Sequence, residues 1–375
     1  MGTADEAAGR AGKAATAHHA AIDWLRGLAC TAVVAFHFGY RGQQDGWITD
    51  AAPRWLAMPL RYGYLGVHLF FIVSGFVIFM TASGATPRAF VASRVARLFP
   101  AYWVAVLLTG AACRWAGVPD FTVSDADLLV NLTMLTHLVA LRWDVRFVDG
   151  AYWSLGVECQ FYLLVWLGLC LEVLESGEWL VAGWLLLSAL ELARPMFNLG
   201  VWLGLEWAPL FSAGILFYLV HRQGLTVRRY LLLWGAYVLA VAQSIRPAVL
   251  SIAAPGDPPR DPWVIFMVLS AAFGVFALLA LHRLRLPTNR WVRWVGLLTY
   301  PVYLLHQNIG YVLLDKLRPV WPSLGWRVAV CVALIVGVAL LVHRGVERPL
   351  GRRLKGWIQA PTRWPDTMVL HQPSR

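Results

Sequence analysis

Charged residues are scarce in this chain of 375 residues, and lysine is almost missing. Only 14% of the residues are charged and 59% are hydrophobic, against roughly 25% and 45–50% in soluble domains. The mean hydropathy is +0.58. This composition excludes an ordinary soluble protein and predicts a chain that crosses a membrane several times.

Cysteine is also sparse, and its positions exclude two kinds of site. The five cysteines lie in or beside apolar segments, without the spacing of a metal or redox motif. We therefore expect packing residues, with no disulfide and no metal. Residues 1–20 lack the apolar core of a signal peptide, so we expect them to form a flexible cytoplasmic tail.

The net charge of +11 comes from arginine, because only three of the 32 basic residues are lysines. In a soluble protein this excess would suggest a nucleic acid partner. In a membrane protein the positive-inside bias explains it, and basic loops also face anionic lipid. We expect membrane lipids and no nucleic acid as partners. The distribution of basic residues places both termini in the cytoplasm.

Apolar windows predict an all-α, polytopic membrane protein with about ten transmembrane helices. They lie near residues 22–40, 64–81, 99–113, 152–171, 179–193, 208–221, 230–246, 262–282, 294–313 and 326–343. The weaker stretch 127–141 is expected to be an external amphipathic segment. Since no repeat or linker divides the chain, residues 21–345 are predicted as one transmembrane domain, followed by a basic cytoplasmic tail over 346–375.

The first predicted span carries two polar side chains on one face. Arg26 and His37 are eleven positions apart, which is three helical turns plus roughly 20°, and about 16 Å along the axis. Ionisable residues within membrane spans usually face the bundle interior and mark a pathway. The pattern predicts a polar path along this helix.

Other polar residues interrupt later apolar runs. His68 and Ser74 lie in the second span, where Gly66 and Gly75 would let backbones approach closely. A histidine there can equally be a packing residue whose hydrogen bonds are satisfied. Glu158 lies one turn inside the fourth span, where a carboxylate must be paired or neutral. It either balances a buried charge or accepts a hydrogen bond from a hydroxyl.

Two further pairs have helical spacing. Arg94 and Arg97 are three residues apart in the predicted first cytoplasmic loop, so they project from one helical face. Such a pair is most often a topology signal, and as a functional feature it would bind phosphate oxygens in a bidentate manner. Tyr303 and His306 are spaced to share a face of the ninth span.

These motifs together resemble the membrane-bound acyltransferase 3 family, bacterial inner-membrane enzymes that O-acylate surface polysaccharides and related acceptors. The resemblance covers about residues 20–350 and is strongest at the arginine–ten residues–histidine pattern of Arg26 and His37. It continues in the segments 70–76, 94–102, 153–162 and 300–306. Where members often have aspartate before a pair of phenylalanines, this chain has His68. We expect it to lack the C-terminal hydrolase-like domain of some relatives.

The resemblance implies transfer of an acyl group, most often acetyl, from cytoplasmic acyl-CoA to a saccharide hydroxyl at the outer side of the bacterial cytoplasmic (inner) membrane. The expected catalytic residues are His37 and Glu158, since the reaction needs a base and imidazole titrates near neutral pH. Residues expected to bind the acyl-CoA are Arg26, Arg94, Arg97 and Tyr102. Residues expected to bind the acceptor are His68, Ser74, Trp153, Ser154, Tyr303 and His306.

Two alternatives stay open on the sequence. The acceptor could be a small molecule or a lipid-linked sugar. The arginine, histidine and glutamate residues could also form a proton relay in a proton-coupled transporter. Transporters often show paired broken helices in two related halves, and this sequence shows no such repeat.

Overall fold

The computed structural model describes residues 20–50, 52–117, 121–249, 260–284 and 286–360. Within these residues every regular element is a helix, and no strand is present. The prediction of an all-α chain is therefore confirmed. The predicted N-terminal tail lies outside the described residues, except for residue 20, which begins the first helix.

The main helices of the described residues, in chain order, are α1 (Ala20–Gln44), α2 (Arg54–Ala82), α3 (Pro87–Ala116), α4 (Gly150–Cys170), α5 (Gly177–Ala193), α6 (Ala208–Gln223), α7 (Val227–Ala248), α8 (Pro262–Ala280), α9 (Arg290–Leu305), α10 (Asn308–Lys316) and α11 (Leu324–Gln359). Seven of them are long and apolar enough to cross a membrane, namely α1 to α4, α7, α8 and α11. The protein is therefore a polytopic membrane protein. Short helices over Asp125–Asn131, Thr136–Val139 and Phe197–Trp202 lie in the connections.

Helix α3 begins twelve residues before the predicted span. Thr86 accepts a hydrogen bond from the Ala89 backbone N–H at 3.2 Å, and Pro87 occupies the first turn, so two strong start signals act here. Arg94 and Arg97, predicted to project from one helical face, both lie in the N-terminal part of this helix.

The two last predicted spans also differ from the structure. The window 294–313 is divided into α9 and α10, and His306 and Gln307 lie in the break between them. Helix α11 continues through a π-helical turn, His343–Glu347, to Gln359. The first part of the predicted tail over 346–375 is thus helical, and residues 361–375 lie outside the described part of the chain.

Helix α6 lies at the centre of the bundle, with every residue from Ala208 to Val220 buried. It crosses α2 where two glycines meet. A Cβ atom on Gly75 would overlap the backbone carbonyl of Phe211, and one on Gly214 would overlap that of Ile72. The close backbone approach predicted at Gly75 is confirmed, and it depends on the missing side chains.

Helices α1 and α9 run side by side in the same direction. The Cys30 sulfur lies 3.7 Å from the Thr299 carbonyl oxygen, and further along both helices His37 meets His306. Because the residue numbers of both helices increase together, α9 follows the polar stripe of α1 along its whole length.

Replacement of Gly75 by alanine should destabilise the bundle, because the new Cβ must push two backbones apart. We expect the free energy of unfolding in detergent to fall by about 1–3 kcal/mol. The matched control is Gly235→Ala, since a Cβ at that helical position meets nothing within 4 Å. It should gain up to about 1 kcal/mol from helix propensity. Equal stability of the two variants would contradict the close crossing.

Candidate active site

His37 lies at a π-helical turn of α1, His37–Arg41, a feature that is frequent at functional sites. Its Nδ1 atom is 2.9 Å from the Val33 carbonyl oxygen and 3.2 Å from Nε2 of His306. The fully buried His306 has its own Nδ1 atom 2.6 Å from the Tyr303 carbonyl oxygen. The two imidazole rings meet edge to face, with centroids 4.9 Å apart.

These contacts assign the tautomers of both rings. A carbonyl oxygen only accepts, so Nδ1 of each ring carries the hydrogen in the neutral pair. Nε2 of His306 then holds a lone pair, and the single Nδ1–H of His37 is shared between this lone pair and the Val33 carbonyl oxygen. The described residues give Nε2 of His37 no hydrogen-bond partner. That nitrogen is therefore a free base.

His37 faces a cavity of about 530 Å³, which we name the histidine cavity. Of the residues predicted from sequence, it is lined by His37, His68, Trp153 and Tyr303. The ring centroid of Trp207 lies 5.1 Å from that of Trp153 and 5.6 Å from that of His68. The wall thus combines aromatic faces with polar groups, as ligand sites commonly do.

Sequence reasoning missed several residues of this wall. They are Arg41, Tyr64, Glu206, Trp207, Arg260 and Gln307. The only signal in the sequence was a polar or aromatic residue near the end of an apolar window. That signal is shared by ordinary anchors at the membrane interface, so it does not mark a site by itself.

A second, smaller cavity of about 50 Å³ lies beside the half-buried Arg26, and we name it the arginine cavity. Ser74, Ser154 and Glu158 also line it. Glu158 accepts hydrogen bonds from the hydroxyls of Ser74 and, at 2.6 Å, of Tyr162. The structure thus places the Glu158 carboxylate on the wall of the arginine cavity. It does not hydrogen-bond to His37, whose contacts are with Val33 and His306.

Tyr303 lies between the two cavities, because it and Val67 line both of them. Its hydroxyl is 2.7 Å from the Ser154 hydroxyl and donates to the Ala151 carbonyl at 3.2 Å. The polar path predicted along α1 is therefore divided into two adjoining cavities with a shared wall.

Four of the predicted residues line neither of these cavities, and one of them is His306, which contacts His37 as described above. Arg97 forms an ion pair with Glu347 and lines a third cavity, described below. The guanidinium of Arg94 lies 3.1 Å from the Ser93 hydroxyl. Tyr102 is buried with its ring centroid 5.2 Å from that of Tyr152. Neither Arg94 nor Tyr102 lines the histidine, arginine or third cavity.

The described residues form a membrane helix bundle with an imidazole on the wall of one cavity and a half-buried arginine on the wall of the next. A family model described as an acyltransferase domain matches residues 19–343. The chain belongs to this acyltransferase 3 family and is an acyltransferase of groups other than aminoacyl groups.

Three similar proteins indicate the range of the family. The membrane-bound transacylase BcsY of Komagataeibacter xylinus is 27% identical over 361 residues, which cover 87% of this chain and 81% of that protein. The peptidoglycan O-acetyltransferase OatA of Listeria monocytogenes is 23% identical, covering 90% of this chain and 56% of that protein. The exopolysaccharide production protein ExoZ of Rhizobium meliloti is 30% identical over 105 residues, which cover 27% of this chain and 32% of that protein. No solved structure matches this chain.

Loss of His306 should slow acyl transfer without weakening substrate binding, because this residue contacts His37 and does not line the histidine cavity. We expect His306→Ala to lower kcat by about ten-fold to a hundred-fold at nearly constant KM. His306→Gln should retain more activity, since its amide oxygen can still accept from His37. The control His282→Asn changes an exposed histidine whose positive φ of 57° asparagine tolerates. A rise in KM alone would contradict the positioning role.

Proposed function

We propose that this protein transfers an acyl group, with acetyl as the expected one, from cytoplasmic acyl-CoA to a saccharide hydroxyl at the outer side of the bacterial cytoplasmic membrane. The observation that carries the proposal is the free Nε2 atom of His37 on the wall of the histidine cavity. The names of OatA and ExoZ, which refer to peptidoglycan and exopolysaccharide, support a saccharide acceptor.

The proposed reaction is a base-assisted transfer in the histidine cavity. Nε2 of His37 removes the proton from the acceptor hydroxyl while its oxygen attacks the thioester carbonyl carbon. The carbon–sulfur bond then breaks, and the imidazolium returns the proton to the leaving thiolate, giving an ester and free CoA. The hydroxyl of Tyr303 lies on the wall shared with the arginine cavity. In the proposed reaction it turns its hydrogen from the Ala151 carbonyl to the developing oxyanion.

Arg26 and Glu158 belong to the donor side in this proposal. A guanidinium in a small, half-buried cavity can hold the acyl-CoA by its polar groups. Glu158 balances that charge and is itself fixed by the hydroxyls of Ser74 and Tyr162. We therefore assign Glu158 to positioning of Arg26, and proton removal to His37 alone.

The lining of the histidine cavity fits a saccharide. The flat rings of Trp153 and Trp207 can cover the C–H faces of a sugar, while Glu206, Arg260 and Gln307 offer hydrogen-bond partners for hydroxyls. A lining of this mixed kind does not suit a purely apolar acceptor.

We also propose ten membrane spans with both termini in the cytoplasm. The three additional spans are α5, α6 and α9, which have 17, 16 and 16 residues. These are shorter than the roughly 20 residues of an untilted span. Helix α6 is buried among neighbouring helices from Ala208 to Val220, so it need not match the full thickness of the bilayer. The arginine-rich ends of α9 and α11 support a common cytoplasmic side.

The test of the proposed function uses purified protein in liposomes, radiolabelled acetyl-CoA and a candidate glycan. We expect label on the glycan with the wild type, and a loss of transfer of about a hundred-fold or more for His37→Ala, because the base is gone. Arg26→Ala should lower transfer mainly by raising the KM for acetyl-CoA. Arg283→Ala, at an exposed position after α8, is the control. Unchanged transfer by both site variants would refute the site assignment.

The role of Glu158 can be tested in the same assay. Glu158→Gln keeps the shape and the acceptor oxygen but removes the charge, so the KM for acetyl-CoA should rise while the pH dependence of kcat stays unchanged. A shifted or lost acidic limb of the pH profile would instead show that this carboxylate accepts a proton during turnover.

A further inference from the structure

A third cavity, of about 560 Å³, lies where α3, α9 and the C-terminal part of α11 meet. We name it the basic cavity, because six cationic side chains line it within the described residues. They are Arg97, Arg290, Arg293, Arg348, Arg352 and Lys355. Glu347 is the carboxylate among its lining residues.

That single carboxylate is already engaged. Glu347 forms an ion pair with Arg97 and lies 2.9 Å from Nδ1 of His343. Arg290 stacks its guanidinium 5.1 Å from the ring centroid of the adjacent Trp291. The structure gives no carboxylate partner in the described part of the chain to any of the five cations other than Arg97. Several uncompensated positive charges around one cavity make an anion site.

The cations are held in place by a docked helix. Gly351 lies against α3 so closely that a Cβ atom there would come within 2.6 Å of the Ala96 carbonyl oxygen. From α3, Arg88 donates to the Ile358 carbonyl at 2.5 Å and also to the Ala360 carbonyl. A topology signal requires only that basic residues remain on one side of the membrane. That requirement does not explain why six basic side chains line the same cavity.

The basic cavity adjoins the cavities of the proposed reaction. Arg97 lines it, and the Arg97 guanidinium lies 5.8 Å from the ring centroid of Tyr300, which lines the arginine cavity. Helix α9 passes all three cavities, from Arg293 through Tyr300 to Tyr303. Arg293 and His306 are 13 residues apart, which is about 20 Å along a helix.

We propose that the basic cavity binds the phosphates of the acyl-CoA nucleotide, with the 3′-phosphate held by Arg293 and Arg352. This inference rests on the proposed function, because it takes acyl-CoA as the donor. Guanidinium groups bind phosphate oxygens through paired, charge-assisted hydrogen bonds. The thioester arm then extends past Arg97 and Arg26 toward His37. A lipid headgroup phosphate has the same chemistry, so the experiment separates the two sources.

The test compares wild type with Arg293→Ala/Arg352→Ala in nanodiscs of zwitterionic lipid. The KM for acetyl-CoA should rise about ten-fold or more at nearly constant kcat, since two charge-assisted contacts are lost. With dephospho-acetyl-CoA, which lacks the 3′-phosphate, both proteins should show similar KM values. Arg293→Lys/Arg352→Lys should restore part of the affinity. Arg222→Ala removes an exposed arginine at the end of α6 and serves as the control.

Two further measurements make the outcomes decisive. Gel filtration and thermal unfolding establish that the alanine variant is folded, and isothermal titration with acetyl-CoA measures its binding without turnover. An unchanged KM and an unchanged binding constant overturn the inference and leave the proposed function standing. Loss of bound phosphatidylglycerol in native mass spectrometry, at unchanged acetyl-CoA affinity, assigns the cavity to lipid and also overturns it. Absence of transfer by the wild type contradicts the proposed function, while the titration still tests the cavity.

Discussion

The hydrogen bond between His37 and His306 is the contact on which the candidate site depends. Val33 and Tyr303 present backbone carbonyls to the Nδ1 atoms, so the tautomer of each ring is fixed by main chain and not by other side chains. The orientation of the lone pair on Nε2 of His37 therefore depends on the backbones of α1 and α9. The π-helical turn in α1 and the break after α9 are the local departures from regular helix that bring both rings together.

Helix α9 organises the rest of the site, because it accompanies α1 in the same direction and contributes to the wall of three cavities. Cationic residues lie at its first turns, tyrosines in its middle and a histidine at its end. A donor with phosphates at one end and a thioester at the other matches this order. In the proposed reaction, one helix thus aligns a long substrate with the base.

Charge compensation distinguishes the arginine cavity from the basic cavity. The arginine cavity is lined by both Arg26 and Glu158, and Glu158 accepts hydrogen bonds from two hydroxyls. In the basic cavity, Glu347 serves Arg97 and the remaining cations have no carboxylate in the described residues. The first arrangement suits a fixed internal charge, because a buried ion needs a partner. The second suits an incoming anion.

The sequence by itself determined the membrane class, the helical fold, the family and the stripe of Arg26 and His37, since composition and helical periodicity are local properties. Only the tertiary structure decided which polar residues meet. It separated Glu158 from His37, joined His306 to His37 and placed Arg293 near Arg352. Residues distant in the chain become neighbours through helix packing, and no local pattern records the partner of a buried side chain. The start of α3 at Pro87 and the end of α9 at Leu305 also depend on local caps and contacts, which an average of hydropathy over a window does not show.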